Sequence, residues 1–82
     1  MAIVSDFARD WSAPVTLAAD EFWQVRIGPV YIATAATTAP ADLTDALLLS
    51  EGDILALGTG EVVRYRSARP EGDGAAVRRA RA

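Results

Sequence analysis

The chain contains no cysteine, no histidine and no lysine among its 82 residues. The absence of cysteine excludes disulfide staples and thiolate nucleophiles. The absence of histidine excludes imidazole metal sites, Cys/His zinc patterns and serine-type catalytic triads.

Two other candidate sites do not fit known patterns. Gly58-Thr59-Gly60 has no lysine or helix after it and does not fit a phosphate-binding loop. Asp42 and Asp45 lack calcium-loop spacing and are interpreted as caps or solvated loop acids. The sequence therefore predicts a non-enzymatic protein without metal or cofactor.

The length limits the chain to one small domain, which buries only about 60–65% of its unfolded surface. Natural domains of this size often gain stability from disulfides, metals or partners. Because the composition excludes disulfides and Cys/His metal sites, oligomerisation or docking on a larger body is the remaining way to stabilise the domain. The alternative is a small β-domain that stands alone.

The net charge of −3 is unevenly distributed along the chain. Residues 1–63 carry two arginines and nine acids, whereas residues 64–82 carry six arginines and two acids. An acidic body with a basic end predicts pairing between copies or with an acidic neighbour. Direct nucleic-acid binding is disfavoured, because the whole chain is acidic and aromatic residues do not interleave with the arginines.

The apolar runs are only a few residues long, so the sequence predicts no transmembrane helix and no membrane partner. The N-terminus, MAIVSDFARD, lacks a basic region followed by a long apolar core and does not match a signal peptide. These patterns predict a protein made in the cytoplasm.

The stretch Glu21–Ala35 contains two strand-like runs separated by Gly28-Pro29. In each run, β-branched and aromatic residues alternate with a period of two, which predicts pleated strands. Gly28 allows a positive φ and Pro29 fixes its own φ, so this pair predicts a bend. Trp23 and Tyr31 are interpreted as core residues, with ligand stacking as the alternative.

Four further short strands are predicted in Pro14–Ala18, Ala46–Leu49, Ile54–Leu57 and Glu61–Ser67. The continuously apolar Ala46–Leu49 run indicates burial on both faces. The segment Thr37–Asp45 is a loop by composition, long enough to carry contacts or to form a solvated excursion. About six short antiparallel strands predict an all-β fold, a small barrel or sandwich.

The predicted β-domain covers residues 14–67, and the segments on either side are predicted to be extended arms. The N-terminal arm, residues 1–13, has apolar residues at helical spacing and predicts a short helix over Asp6–Asp10. Its aromatic residues are expected either to anchor on a neighbouring surface or to cover one end of the chain's own barrel. The C-terminal arm, residues 68–82, lacks periodicity and predicts a flexible basic tail.

The candidate interface residues are the two aromatic residues of the N-terminal arm and six arginines. Arg64 and Arg66 share one strand face and are expected to meet acids such as Asp20 or Glu21 on a neighbour; the alternative is a solvated strand face. The arginines near the C-terminus are expected to form salt bridges between subunits, with phosphate binding as the alternative. The full set is Phe7, Trp11, Arg26, Arg64, Arg66, Arg78, Arg79 and Arg81.

The pattern FWQVRIGPVYIAT, followed by a Thr/Pro/Ala loop, DALLLSEGD and VVRYRS, resembles small accessory proteins of tailed-phage virions. It is similar to the head-spike base, or capsid-vertex, protein of alphaproteobacterial gene transfer agents and related phages. The likeness covers roughly Val15–Ser67. Its closest matches are Trp23, Arg26, Gly28, Pro29, Gly52 and Asp53.

The resemblance implies a compact β-domain that forms a homo-oligomeric ring on the capsid and joins the shell to a spike fibre. It implies a structural virion protein whose partners are its own copies, the capsid protein and the spike fibre protein, with no catalytic residues or cofactor. Alternatives are a tail-fibre, knob or tail-adaptor subunit, and a small module that binds a glycan or a nucleic acid. Cutting the chain after Ser67 is expected to weaken assembly and to leave the barrel folded.

Overall fold

The computed structural model describes residues 2–34, 38, 40, 43, 46–70 and 74–82. Within these residues the chain forms eight β-strands and no α-helix, which confirms the predicted all-β class. No helix in this part of the chain is long and apolar enough to cross a membrane. The strands are β1 (Ala2–Val4), β2 (Val15–Thr16), β3 (Glu21–Ile27), β4 (Val30–Ala33), β5 (Leu47–Leu49), β6 (Ile54–Leu57), β7 (Val62–Ser67) and β8 (Ala76–Arg81).

The strands form two four-stranded sheets that pack as a small sandwich. Sheet A has the order β1-β8-β3-β6, and sheet B has the order β2-β7-β4-β5. The strand pairs are antiparallel in both sheets. The chain changes sheet at each of the seven connections between described strands except the one from β4 to β5. Neighbours in sequence are therefore often in opposite layers.

The core lies between the two sheets and follows the alternation of the strands. Trp23 and Val25 of β3 point inward, as do Val63 and Tyr65 of β7. Successive side chains of a strand point to opposite faces, so each strand contributes every second residue. The remaining members of the core cluster are Phe7, Leu17, Val30, Ile32, Leu57, Ala75 and Val77.

Both end segments contain strands of sheet A, which corrects the prediction of two extended arms. β1 pairs with β8, and β8 lies between β1 and β3 in the interior of the sheet. Ala75 and Val77 of the predicted flexible tail are buried in the core. No helix forms over Asp6–Asp10. β8 could not be recognised in the sequence AVRRAR, because arginines occupy both faces of the strand.

The β5 strand is exposed, although its continuous apolar sequence predicted burial on both faces. It is an edge strand of sheet B, and within the described residues its one pairing partner is β4. Leu47 and Leu48 are 47% and 58% exposed, and Leu49 packs partly against the core. β5 lies at the margin of the sandwich, so the core covers only Leu49 of its three leucines, and only in part.

The corner between β3 and β4 requires a glycine at position 28, because there is no space for a Cβ atom. Gly28 does not adopt the predicted positive φ, and its peptide bond to Pro29 is cis. A Cβ atom on Gly28 would lie 2.8 Å from Val25 Cγ1 and 3.3 Å from the Glu51 backbone nitrogen. Val25 is fully buried and branched at Cβ, so its methyl group has little room to move.

We expect Gly28→Ala to lower the free energy of unfolding by about 1–3 kcal/mol, the usual cost of overpacking a core. Gly58→Ala is the matched control, because its nearest non-neighbouring atom is Asp20 Oδ1 at 3.9 Å and its φ is not positive. The control should change stability by less than about 1 kcal/mol. Denaturant unfolding of both variants checks this, and equal stabilities would refute the steric requirement at Gly28.

Candidate interaction surfaces

The outer face of sheet A carries large apolar side chains in solvent. Ile3, Phe22 and Ile54 are 59%, 44% and 62% exposed. In register, Ile3 lies opposite Arg78, Arg78 opposite Gln24, and Gln24 opposite Ile54. Opposed residues of antiparallel strands have Cβ atoms about 5 Å apart, so this row forms one continuous surface.

A groove of about 300 Å³ runs across this surface beside Phe22. Phe22 lies opposite Ala56 on one side and Ala80 on the other. Because both neighbours have small side chains, the Phe22 ring projects above them into solvent. Contiguous exposed apolar patches on small domains commonly mark interaction sites. The apolar face is here defined as Ile3, Phe22, Gln24, Ile54, Ala56, Arg78 and Ala80.

On the inner face of the same sheet, Arg79 and Glu21 form an intrachain ion pair. Arg79 Nε and Nη2 donate to Glu21 Oε1 and Oε2 over 2.8 and 2.9 Å, a bidentate arrangement. The Arg79 guanidinium also lies 4.9 Å from the centroid of the Trp23 ring, and Trp23 Nε1 donates to Glu21 Oε1. The hydrogen bond from Arg79 is the largest cause that lowers the pKa of Glu21.

The acids that were predicted to meet arginines of a neighbour have partners within their own chain. Glu21 is held by Arg79, and Asp20 Oδ1 accepts hydrogen bonds from the Thr59 backbone nitrogen and hydroxyl. These two bonds from Thr59 lower the pKa of Asp20. The predicted pairing of Asp20 or Glu21 with a neighbouring subunit would have to displace these contacts.

The predicted cluster of C-terminal arginines is divided between the two faces of β8. Arg78 belongs to the outer apolar face and Arg79 to the inner face, because successive residues alternate across a strand. Arg81 is exposed at the end of β8, and Arg26 is exposed near the end of β3. The structure therefore does not bring these arginines together as one basic patch.

Arg64 and Arg66 share the outer face of sheet B, as the alternation in β7 predicted. Arg64 Nη1 donates to the Ser12 carbonyl over 3.1 Å. The Arg66 guanidinium lies 5.7 Å from the ring centroid of Trp11, which is half-buried outside the core. Tyr31 lies opposite Arg66 and is also only half-buried, so the prediction that it belongs to the core is wrong.

The aromatic residues of the N-terminal segment have separate roles. Phe7 is buried, and its ring centroid lies 4.5 Å from that of Tyr65. Trp11 lies instead against Arg66 on the outside of sheet B. Trp23 is fully buried, which confirms its prediction as a core residue. Phe7 thus closes one end of its own sandwich.

Tyr65 connects this end of the core to a carboxylate. Its hydroxyl donates to Asp6 Oδ1 over 2.7 Å. Burial and then this hydrogen bond raise the pKa of Tyr65 to about 12 from an ordinary value of 10.0. Between these two pH values the unfolded chain has lost a proton that the folded chain retains. The free energy of unfolding therefore falls as pH rises through this range.

We expect Tyr65→Phe to cost about 1–2 kcal/mol at pH 8, because it removes a hydrogen bond to a charged acceptor and keeps the ring contacts. The difference between variant and wild type should shrink as pH rises from 9 to about 11, since only the wild type loses the stability linked to this hydroxyl. Urea unfolding at several pH values measures both curves. A constant difference across this range would contradict the role of the Tyr65 hydroxyl.

Comparisons with protein-family models, with curated proteins and with solved structures find no match. Within the described residues, no group of three or more acidic, histidine or cysteine side chains is placed to hold a metal ion. Asp42 and Asp45 of the predicted loop lie outside those residues. The surfaces that remain for functional inference are the apolar face of sheet A and the arginines on sheet B.

Proposed function

We propose that this protein is a non-enzymatic structural virion protein, a head-spike base or capsid-vertex decoration that links the shell to a spike fibre in a phage or gene transfer agent particle. Its partners in this role are copies of itself in a ring, the capsid protein and the spike fibre protein. It is made in the bacterial cytoplasm and resides in the particle. The sequence resemblance over Val15–Ser67 supplies the specific role.

The apolar face is the observation that supports an assembly role. Three large side chains on one sheet face are 44–62% exposed in a chain of only 82 residues. Burying the exposed part of each against a partner contributes on the order of 1 kcal/mol. A ring uses heterologous contacts, in which one surface of a subunit meets a different surface of the next. The apolar face supplies one of these two surfaces.

The alternative of a small glycan- or nucleic-acid-binding module is weakened, because one of its two candidate stacking residues is not accessible to a ligand. Trp23 is fully buried, and its ring is covered by Arg79. Tyr31 is the partly exposed aromatic residue that remains of that pair. A tail-fibre, knob or tail-adaptor subunit stays the alternative within virion proteins, and trimeric assembly would favour it.

Light scattering after size exclusion tests the assembly role. The wild-type chain is expected to form a closed oligomer, and the double variant F22S/I54S to be a folded monomer. Leu48→Ser is the control, because the exposure of Leu48 lies between those of Phe22 and Ile54 and Leu48 lies on the edge of sheet B. It should assemble as the wild type does. If the wild type is a folded monomer at all concentrations, self-assembly through the apolar face is wrong.

Particles purified from the native bacterium test the virion role directly. The chain is expected to co-purify with the capsid protein in a fixed ratio, and an antibody against it should label capsid vertices in electron micrographs. Labelling of the tail would favour the tail-fibre or adaptor alternative. Absence of the chain from purified particles would overturn the proposal.

A further inference from the structure

A second cavity, of about 260 Å³, lies on sheet B at the end of β7. Arginines from three separate segments line it: Arg9 precedes β2, Arg66 belongs to β7, and Arg69 follows β7. Tyr31 of β4, which lies opposite Arg66, forms another wall. The arginine pocket is here defined as Arg9, Tyr31, Arg66, Ser67, Ala68, Arg69 and Pro70.

The three arginines are held in place by contacts with the surrounding chain. Arg9 Nη2 donates to the Pro70 carbonyl over 2.7 Å, and Arg69 Nη1 donates to the Gly28 carbonyl over 3.2 Å. The Arg66 guanidinium is packed over Trp11. A guanidinium that is already oriented loses less side-chain freedom when it binds a ligand. The pocket is therefore organised before any ligand arrives.

One donor of this pocket, on Arg66, is without a partner among the described residues. Arg66 Nε is buried and has no hydrogen-bond partner among the described residues. In the same part of the chain, neither Arg9 nor Arg66 forms an ion pair with a carboxylate. A buried donor without an acceptor is costly, and neighbouring positive charges repel one another. An anion in the pocket would offset the repulsion between these charges.

We infer that the arginine pocket binds a single oxyanion, of the kind carried by a carboxylate or a phosphate group. Planar guanidinium groups match these oxygens in geometry and charge, and the Tyr31 hydroxyl supplies a neutral donor or acceptor. A long polyanion is a poor ligand, because the chain has a net charge of −3. This inference does not depend on the virion role, since it concerns sheet B and a different kind of ligand.

The side-chain Nε–Hε resonance of Arg66 is the direct probe of this site. Inorganic phosphate and acetate are titrated separately into the isotopically labelled chain, with chloride at matched ionic strength as the control. A saturable shift of the Arg66 resonance is expected with at least one oxyanion. Tighter binding of phosphate assigns the site to a phosphate-bearing ligand, and tighter binding of acetate assigns it to a carboxylate. No saturable shift, or an equal shift with chloride, overturns the inference.

Arg9→Gln provides the second test, because Arg9 is exposed and its replacement leaves the core untouched. The variant should bind the preferred oxyanion about tenfold more weakly, as expected for the loss of one charge-assisted contact. Arg81→Gln is the matched control at the end of β8 and should bind as the wild type does. Equal affinity of wild type and Arg9→Gln would place the anion elsewhere and overturn the assignment.

Discussion

A chain that stops after Ser67 is expected to be unfolded. The missing residues include β8, which pairs with β1 on one side and with β3 on the other. They also include Ala75, Ala76 and Val77, all of which are buried. Their loss leaves the hydrogen-bonding edges of two strands unpaired and opens one wall of the core to water. This expected result replaces the sequence-based prediction of a folded barrel without its tail.

Far-UV circular dichroism and thermal unfolding measure this result, with no cooperative transition expected for residues 1–67. A chain that stops after Ala80 is the control, because it removes only exposed residues at the end of β8. It loses the Ala82 contact to the Asp20 carbonyl and should unfold cooperatively at a lower temperature. If the chain of residues 1–67 unfolds cooperatively, β8 is dispensable and the described topology of sheet A is wrong.

Trp23→Ala is expected to be the most damaging single substitution. Trp23 is the largest fully buried side chain, and its ring contacts Arg79 on one side and Tyr65 on another. Truncation of a buried tryptophan costs about 3–5 kcal/mol. A domain of 82 residues has a total stability of roughly 4–12 kcal/mol. The variant should therefore be partly or largely unfolded at room temperature.

Two control variants separate the contributions to this effect. Trp11→Ala removes the same side chain from a half-buried position outside the core and should cost about 1 kcal/mol or less. Trp23→Phe keeps an aromatic ring and loses the indole hydrogen bond to Glu21, with an expected cost of about 1–2 kcal/mol. Urea unfolding ranks the three variants. A cost for Trp11→Ala as large as that for Trp23→Ala would contradict this ranking.

Most of the strands were predictable from the sequence, but β1 and β8 were not. In β7 the inward residues Val63 and Tyr65 are buried and alternate with half-buried residues, which is the pattern of a sheet covered on one side. β8 lacks this pattern because Arg79 occupies an inward position, where Glu21 neutralises its charge and Trp23 packs against it. Such compensation comes from residues more than 50 positions away and leaves no local signal.

The candidate surfaces were only partly predictable, because strand alternation was applied to single strands. It placed Arg64 and Arg66 correctly on one face, but it did not separate Arg78 from Arg79 in a segment interpreted as a tail. The apolar face was missed because its members come from four strands whose order the sequence does not reveal. One signal was available: β3 and β6 carry apolar residues on both faces, which a strand covered on one side does not need.

The pairing of β8 with β1 and β3 sets an order of events during synthesis. Glu21 lies opposite Arg81, and Ala2 lies opposite Arg79, so sheet A joins residues that leave the ribosome far apart in time. Until β8 emerges, β3 has only β6 beside it and the inward face of Trp23 lacks its cover. Contacts between such distant residues form slowly, and open strand edges can pair with other chains in the interval. The nascent chain is therefore most vulnerable to aggregation before β8 is released.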